Sequence, residues 1–213
     1  MATARGGLPW IWCSWLLPVL SGENQCVYAP WFKSHYRYTK VADASFDRDA
    51  WTADHTALLR QRAIELEAEG WHVRLENENT FRLKGSTAIV TGKPDIVAIR
   101  GDVVRVVDAK TGQQRGRDWW QVLIYEFAIP KCFEDLARHR FEGEVCYRSG
   151  PVAVRSHELT AERIDAIVAA VKAVAATVAP TPVPSAAECG RCDLADCTAR
   201  VSTPVAEALV GDF

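Results

Sequence analysis

The sequence lacks a dominant charge: 25 lysines and arginines stand against 27 aspartates and glutamates, for a net charge of -2 at pH 7. A basic field over the whole chain, of the kind that gathers nucleic acid without specificity, is thereby excluded, so any contact with a polyanion must be local. The apolar stretch from Leu8 to Leu20 is too short to cross a bilayer, which takes roughly 20 residues, and Pro9 and Pro18 interrupt it. It follows Arg5 and outwardly has the look of a secretory leader, yet no A-x-A site comes after it. An even cysteine count is missing too, because seven cysteines leave one thiol over from any fully paired disulfide framework. There is no internal repeat, and Gly85, Gly92 and Lys93 are wrongly spaced for a phosphate-binding loop, with Pro94 where a Ser or Thr would be needed. The expectation is a cytoplasmic protein with no membrane contact, in a reducing compartment where clustered cysteines survive as metal ligands.

What is present suits one globular domain with appendages: 213 residues, 48% of them hydrophobic. Ser21 is expected to cap a short helical turn leading to Cys26 and the aromatic run Tyr28, Trp31, Phe32, Tyr36 and Tyr38. Leu58, Leu59, Ile64 and Leu66 recur at helical spacing between Asp54 and Glu69, and Gly70 stops the pattern. Runs rich in β-branched residues follow at 73–75, 80–83, 96–99 and 103–107, broken by Gly85, Gly92 and the Gly101-Asp102 turn, and they predict an antiparallel meander. A helix is expected from Asp118 to Ile129, ended by Pro130, then strands at 144–147 and 152–154. A last amphipathic helix over 161–178 carries Ile164, Ile167, Val171 and Val174 on one face. Pro180, Pro182 and Pro184 then make an extended connector. The order predicts an α/β layer structure with a mixed sheet.

One constellation carries chemistry. Lys93-Pro94-Asp95 opens one strand of the meander and Asp108-Ala109-Lys110 closes the next, across a tight hairpin, so two acids and a lysine converge at one sheet edge. Residues i and i+2 of a strand share a face, which points Asp108 and Lys110 the same way. Carboxylates so placed suit Mg²⁺ or Mn²⁺, which would polarise a phosphate and lower the pKa of a water. Asp108 directly follows an apolar β-run, an awkward place for an uncompensated charge. Lys110, Arg115 and Arg117, with Lys131 further on, supply local positive charge; Trp119 and Trp120 offer rings on which unpaired bases could stack.

Asp95, then Asp108-x-Lys110, then Gln121 and Tyr125 one helical turn apart, together resemble the motif series of RecB-like PD-(D/E)XK nucleases. The resemblance implies a restriction-endonuclease-like α/β core, with a mixed central sheet flanked by helices. It implies catalytic roles for Asp95, Asp108 and Lys110, and a DNA-positioning role for Gln121 and Tyr125. It also implies a histidine on the first helix as a metal ligand; His55 is placed to supply it, with His35, His72 and His139 as competitors. Ala109 would add its backbone carbonyl to the metal.

Near the other end, Cys189-Gly190-Arg191-Cys192 and Cys197 form C-x2-C-x4-C, three soft thiolates that need a fourth partner. A RecB-like subset, including the CRISPR-associated exonucleases of Cas family four and the AddB-type recombination nucleases, carries one cysteine before the core and three after it. That resemblance implies a 4Fe-4S cluster on Cys26, Cys189, Cys192 and Cys197. Cys13 is the rival fourth ligand, Zn²⁺ the rival metal, and Cys132 and Cys146 read as small buried hydrophobes.

The expected organisation is an N-terminal apolar segment at 1–20, a nuclease domain at 21–183, the cysteine cluster at 184–200 and a tail at 201–213. The expected activity is metal-dependent hydrolysis of DNA, by an exonuclease on single strands in recombination, repair or CRISPR adaptation, alongside proteins of those pathways. The other readings are a catalytically silent DNA-binding or assembly subunit and a structure-selective endonuclease on the same core.

Overall fold

β-Branched runs joined by tight turns set the centre of the molecule, and helices cover both of its faces. The computed structural model describes residues 2–41 and 46–202, so most of the tail expected at 201–213 lies outside the described residues. The strands are β1 (Thr3–Ala4), β2 (Trp10–Trp12), β3 (Tyr36–Arg37), β4 (His72–Leu75), β5 (Phe81–Lys84), β6 (Ile89–Gly92), β7 (Ile96–Arg100), β8 (Val103–Lys110), β9 (Arg140–Tyr147) and β10 (Gly150–Val154). The helices are α1 (Leu17–Leu20), α2 (Tyr28–His35), α3 (Arg48–Ala68), α4 (Asp118–Cys132), α5 (Ala161–Val174) and α6 (Ala186–Arg191).

The main sheet runs β10-β9-β8-β7-β4. Its β8 and β9 are parallel, connected through α4, and its other neighbours are antiparallel, which makes it mixed as expected. Alternation along the strands sorts two cores. Val97, Val104 and Val106 face α4 and α5, joining Ile124, Ile129 and Ile167. Ile96, Ala98 and Val107 face α3, where Leu59, Ala63 and Leu66 meet them. Arg62 of α3 reaches the same sheet, its Nε and Nη2 each 2.7 Å from the two carboxylate oxygens of Glu144 on β9.

Several expectations are corrected. The meander is two sheets, because β5 pairs with β6, a strand missed in the sequence, and β6 pairs in parallel with β2. Gly92, expected as a breaker, is the last residue of β6, and a Cβ there would stand 2.7 Å from the Phe81 ring and 2.9 Å from Tyr125. The apolar N-terminal run is thus built into the fold, with Ile11, Cys13, Leu16 and Leu17 buried in the α4 and α5 core. Ser21 closes α1 rather than opening a helix, and Pro18 fits inside the first turn of α1, where its missing N–H is not needed. Pro130 does not end α4, which continues to Cys132; in the final turn the proline forfeits only one helical bond. The last long helix stops at Val174, with Ala175 as its C-cap, short of residue 178. At the other extreme α3 starts earlier than expected, because the Asp47 side chain accepts a hydrogen bond from the Ala50 N–H and caps it.

Candidate active site and cysteine cluster

The register of β7 against β8 pairs Ile96 with Val107, so one step further the chain brings Asp95 opposite Asp108. Asp95 Oδ2 accepts the Ala109 N–H at 2.7 Å, tying the two strand ends together. Asp108 is 2% exposed. Its Oδ2 lies 2.5 Å from Lys110 Nζ in a close ion pair, and no other donor reaches this buried oxygen. Burial pushes the Asp108 carboxyl up to about 6, against the pull of Lys110 and with a further push from Asp95. Burial pulls Lys110 down, but Asp108, Asp95 and Asp118 together outweigh it and hold the ammonium charged. His55 of α3 places Nε2 at 3.5 Å from Asp95 Oδ2, and that carboxylate raises the imidazole above its ordinary pKa in spite of burial.

The lysine is seated from behind. Lys110 Nζ donates to Gln121 Oε1 at 3.0 Å, Gln121 Nε2 donates to the Tyr125 hydroxyl at 2.6 Å, and that hydroxyl reaches the Lys93 carbonyl at 3.4 Å. His55, Asp95, Asp108, Ala109, Lys110 and Gln121 line one open cavity of about 410 Å³, within the range of roughly 300–1,000 Å³ usual for ligand sites. Tyr125 does not line it. Its ring is buried between the helix and Phe81, and it reaches the cavity only through Gln121.

Arg115 and Arg117 line an adjoining cavity of about 400 Å³ that shares Lys110, Gly112 and Gln121 with the first; Arg117 also pairs with Glu23 at 2.9 Å. Trp119 and Trp120 lie elsewhere. Trp120 packs against the core, and Trp119 borders a separate cavity with the Arg163 guanidinium 4.4 Å over its ring. Lys131 is turned back on its own helix, donating to the Phe127 carbonyl. Side chains given no role by sequence reasoning also line the cavity of Asp95, Asp108 and Lys110, among them Trp51, Glu76 and Lys93. Glu76 has a left-handed backbone at φ 38°, a strained conformation for a side-chain-bearing residue, and its N–H donates to the Asp95 carbonyl. The usable signal was Trp51, one helical turn before His55.

Elsewhere in the fold, Cys26, Cys189, Cys192 and Cys197 line one cavity of about 30 Å³ with Pro182, Pro184 and Arg200. The four thiols are free and partly exposed. Glu188 accepts the N–H groups of Gln25 and Cys26, while Arg200 donates to the carbonyls of Cys189, Cys192 and Leu194. Cys13 is remote from them: it is buried against the Tyr125 hydroxyl, where burial pushes its thiol up to about 12. Among the described residues, no three His, Cys, Asp or Glu side chains stand placed to hold a metal ion.

A buried acid pair at a strand edge, a charged lysine two residues on and a helix that clamps it define a hydrolytic class of site. A family model for the PD-(D/E)XK nuclease superfamily matches residues 23–197, and the chain belongs to that superfamily. It is therefore a nuclease of that general kind, and nucleases of this superfamily usually use Mg²⁺ or Mn²⁺. No curated protein matches the sequence. Among solved structures, the crystal structure of SSO0001 aligns at a TM-score of 0.46 and 12% identity, over 89% of this chain and 86% of that one. Among the described residues no helix is long and apolar enough to cross a membrane.

Proposed function

We propose that the chain is a divalent-metal-dependent deoxyribonuclease of the RecB-like type, with Asp95, Asp108 and Lys110 at its catalytic centre. The observation that carries this reading is the shared cavity in which two acids, a charged lysine and an imidazole face one another. The donor types suit a hard divalent cation, because carboxylate oxygens lead them and Asp108 Oδ2 is buried there with only the Lys110 ammonium beside it. Asp95, Asp108, His55 and the Ala109 carbonyl would hold the ion. When bound, Mg²⁺ or Mn²⁺ supplies Lewis-acid polarisation of the phosphate and a more acidic water. Lys110 presents a fixed positive charge where negative charge develops on the phosphoryl oxygens, and Gln121 keeps its ammonium in place. Tyr125 is a positioning residue that acts through Gln121. Arg115 and Arg117, in the adjoining cavity, would take phosphates of the same strand.

The finer parts of the proposal rest on the resemblance to Cas family four and AddB-type nucleases: hydrolysis from the ends of single strands, a cytoplasmic location, and work with recombination, repair or CRISPR-adaptation proteins. Residues 21–183 would be the nuclease domain and 184–200 its cysteine appendage. Cys26, Cys189, Cys192 and Cys197 would hold a 4Fe-4S cluster, a choice of ligands supported by their common cavity. Zn²⁺ is a second reading, because tetrahedral thiolate sites also use the C-x2-C spacing of Cys189 and Cys192.

The test is degradation of end-labelled single-stranded DNA by anaerobically purified protein with Mn²⁺. Asp108→Ala should abolish cleavage, and Lys110→Ala should slow it about a hundredfold or more. Intact circular single strands would support end-directed action, and cut circles would support an endonuclease. Folded wild-type protein inert on every DNA form would make the chain a silent binding or assembly subunit. Broad visible absorption lost in Cys26→Ser would support iron and sulfur, whereas colourless protein carrying one equivalent of zinc would support the second reading.

A further inference from the structure

One wall of the catalytic cavity serves neither the acids nor the clamp behind Lys110. Trp51 lies in the first turn of α3, one turn before His55, and remains 45% exposed. An indole is among the largest apolar surfaces a side chain presents, and exposing it forgoes the usual gain of burial. Its ring lies over the His55 imidazole, centroids 5.1 Å apart and planes 25° from parallel. Phe46, 50% exposed, stands beside it with a centroid distance of 6.2 Å. Trp51 adds nothing to the packing of its helix, whose buried residues are Leu59, Arg62, Ala63 and Leu66, further along. Yet it lines the same cavity as Asp95, Asp108 and Lys110.

We infer that Trp51, with Phe46 beside it, is a stacking platform for an unpaired base next to the scissile phosphate, and that it makes the site selective for single strands. In a duplex each base is already covered by its stacked neighbours, so a protein ring gains access only to a strand that is unpaired. Every base has a π-face, so the platform tolerates any sequence. Its position on α3 fixes the base relative to His55, and thereby relative to the acids. Trp119 and Trp120 do not share this placement, since Arg163 lies over the first and core packing holds the second.

The inference rests on the nuclease reading and is tested by binding, so that the two can fail separately. Short single strands carrying 2-aminopurine at successive positions are titrated, with Mg²⁺ present, into protein bearing Asp108→Asn to prevent cleavage. At one position the fluorescence should be quenched on binding, and adding Trp51→Ala should remove the quench and weaken binding about tenfold. Trp51→Phe should restore most of both. On a strand with an abasic site at that position, Trp51→Ala should have no effect, and duplex affinity should not change. Equal affinity and quench with and without Trp51 overturns the inference and leaves the nuclease reading standing. A loss of the same size on the abasic strand also overturns it, because Trp51 would then serve only to seat His55. If neither protein binds DNA, both readings fall.

Discussion

Glu126 on α4 is 3% exposed, and its Oε1 has no hydrogen-bond partner. It faces β9 so closely that a Cβ at Gly143 would lie 2.6 Å from that oxygen. Burial raises its carboxyl from 4.5 to about 8, with Glu158 and Glu142 adding to the effect. The folded protein thus keeps this proton to a higher pH than the unfolded chain does, so the unfolded state binds fewer protons between the two values. Stability must fall as pH rises from about 4.5 to about 8 and level off above that. At about 1.4 kcal/mol per pH unit the full penalty reaches about 5 kcal/mol, and relaxation of the site should reduce it to about 2–4 kcal/mol. Glu126→Gln keeps the shape of the neutral acid and removes the ionisation. It should match the wild type within about 1 kcal/mol near pH 5 and exceed it by about 2–4 kcal/mol at pH 9, or roughly 5–10 °C in melting temperature. Urea denaturation followed by circular dichroism at both pH values measures this. The same slope of stability against pH in the two proteins would refute the reasoning.

Two further substitutions probe the frame around the site. Arg62→Met leaves the Glu144 carboxylate, 4% exposed between α3 and β9, with Arg105 at 3.9 Å as its remaining cation; it should cost about 3 kcal/mol in urea denaturation, and adding Glu144→Met should recover most of that loss. Gly92→Ala drives a methyl against Phe81 and Tyr125; it should cost about 1–3 kcal/mol and, by displacing the Tyr125 hydroxyl from Gln121, lower kcat more than it alters KM.

The elements around the candidate site were legible because they announce themselves locally. A run of valines ending in Asp108, an i+2 lysine and a hairpin at Gly101-Asp102 leave little freedom in how β7 and β8 meet, and the pairing of Ile96 with Val107 follows that pattern. The helix of Gln121 and Tyr125 was readable for the same reason. What escaped was non-local. Nothing near Ile89–Gly92 says that it pairs with Trp10–Trp12, far back in the chain, and its terminal glycine answers to the bulk of Phe81 and Tyr125 rather than to a turn. Helical spacing does not single out Arg62 among the charges of α3, because its partner Glu144 comes from β9. Closeness in sequence to Gln121 points to Trp119 and Trp120 for stacking, but neither lines the cavity of Asp95 and Asp108, which Trp51 reaches from another element.

The meeting of residues 25–41 with residues 176–196 bears on how the molecule is made. Val41 N–H donates to the Asp193 carbonyl, Lys33 pairs with Asp193, Glu188 caps Cys26, and the Trp31 indole donates to the Ala176 carbonyl. During synthesis the aromatic helix α2 emerges long before any of these partners. With elongation at about 5–20 residues per second, it waits on the order of ten seconds with Trp31 uncovered. A chain released early would present that surface permanently, which makes the aromatic helix the natural handle by which chaperones or proteases distinguish an unfinished copy from a complete one.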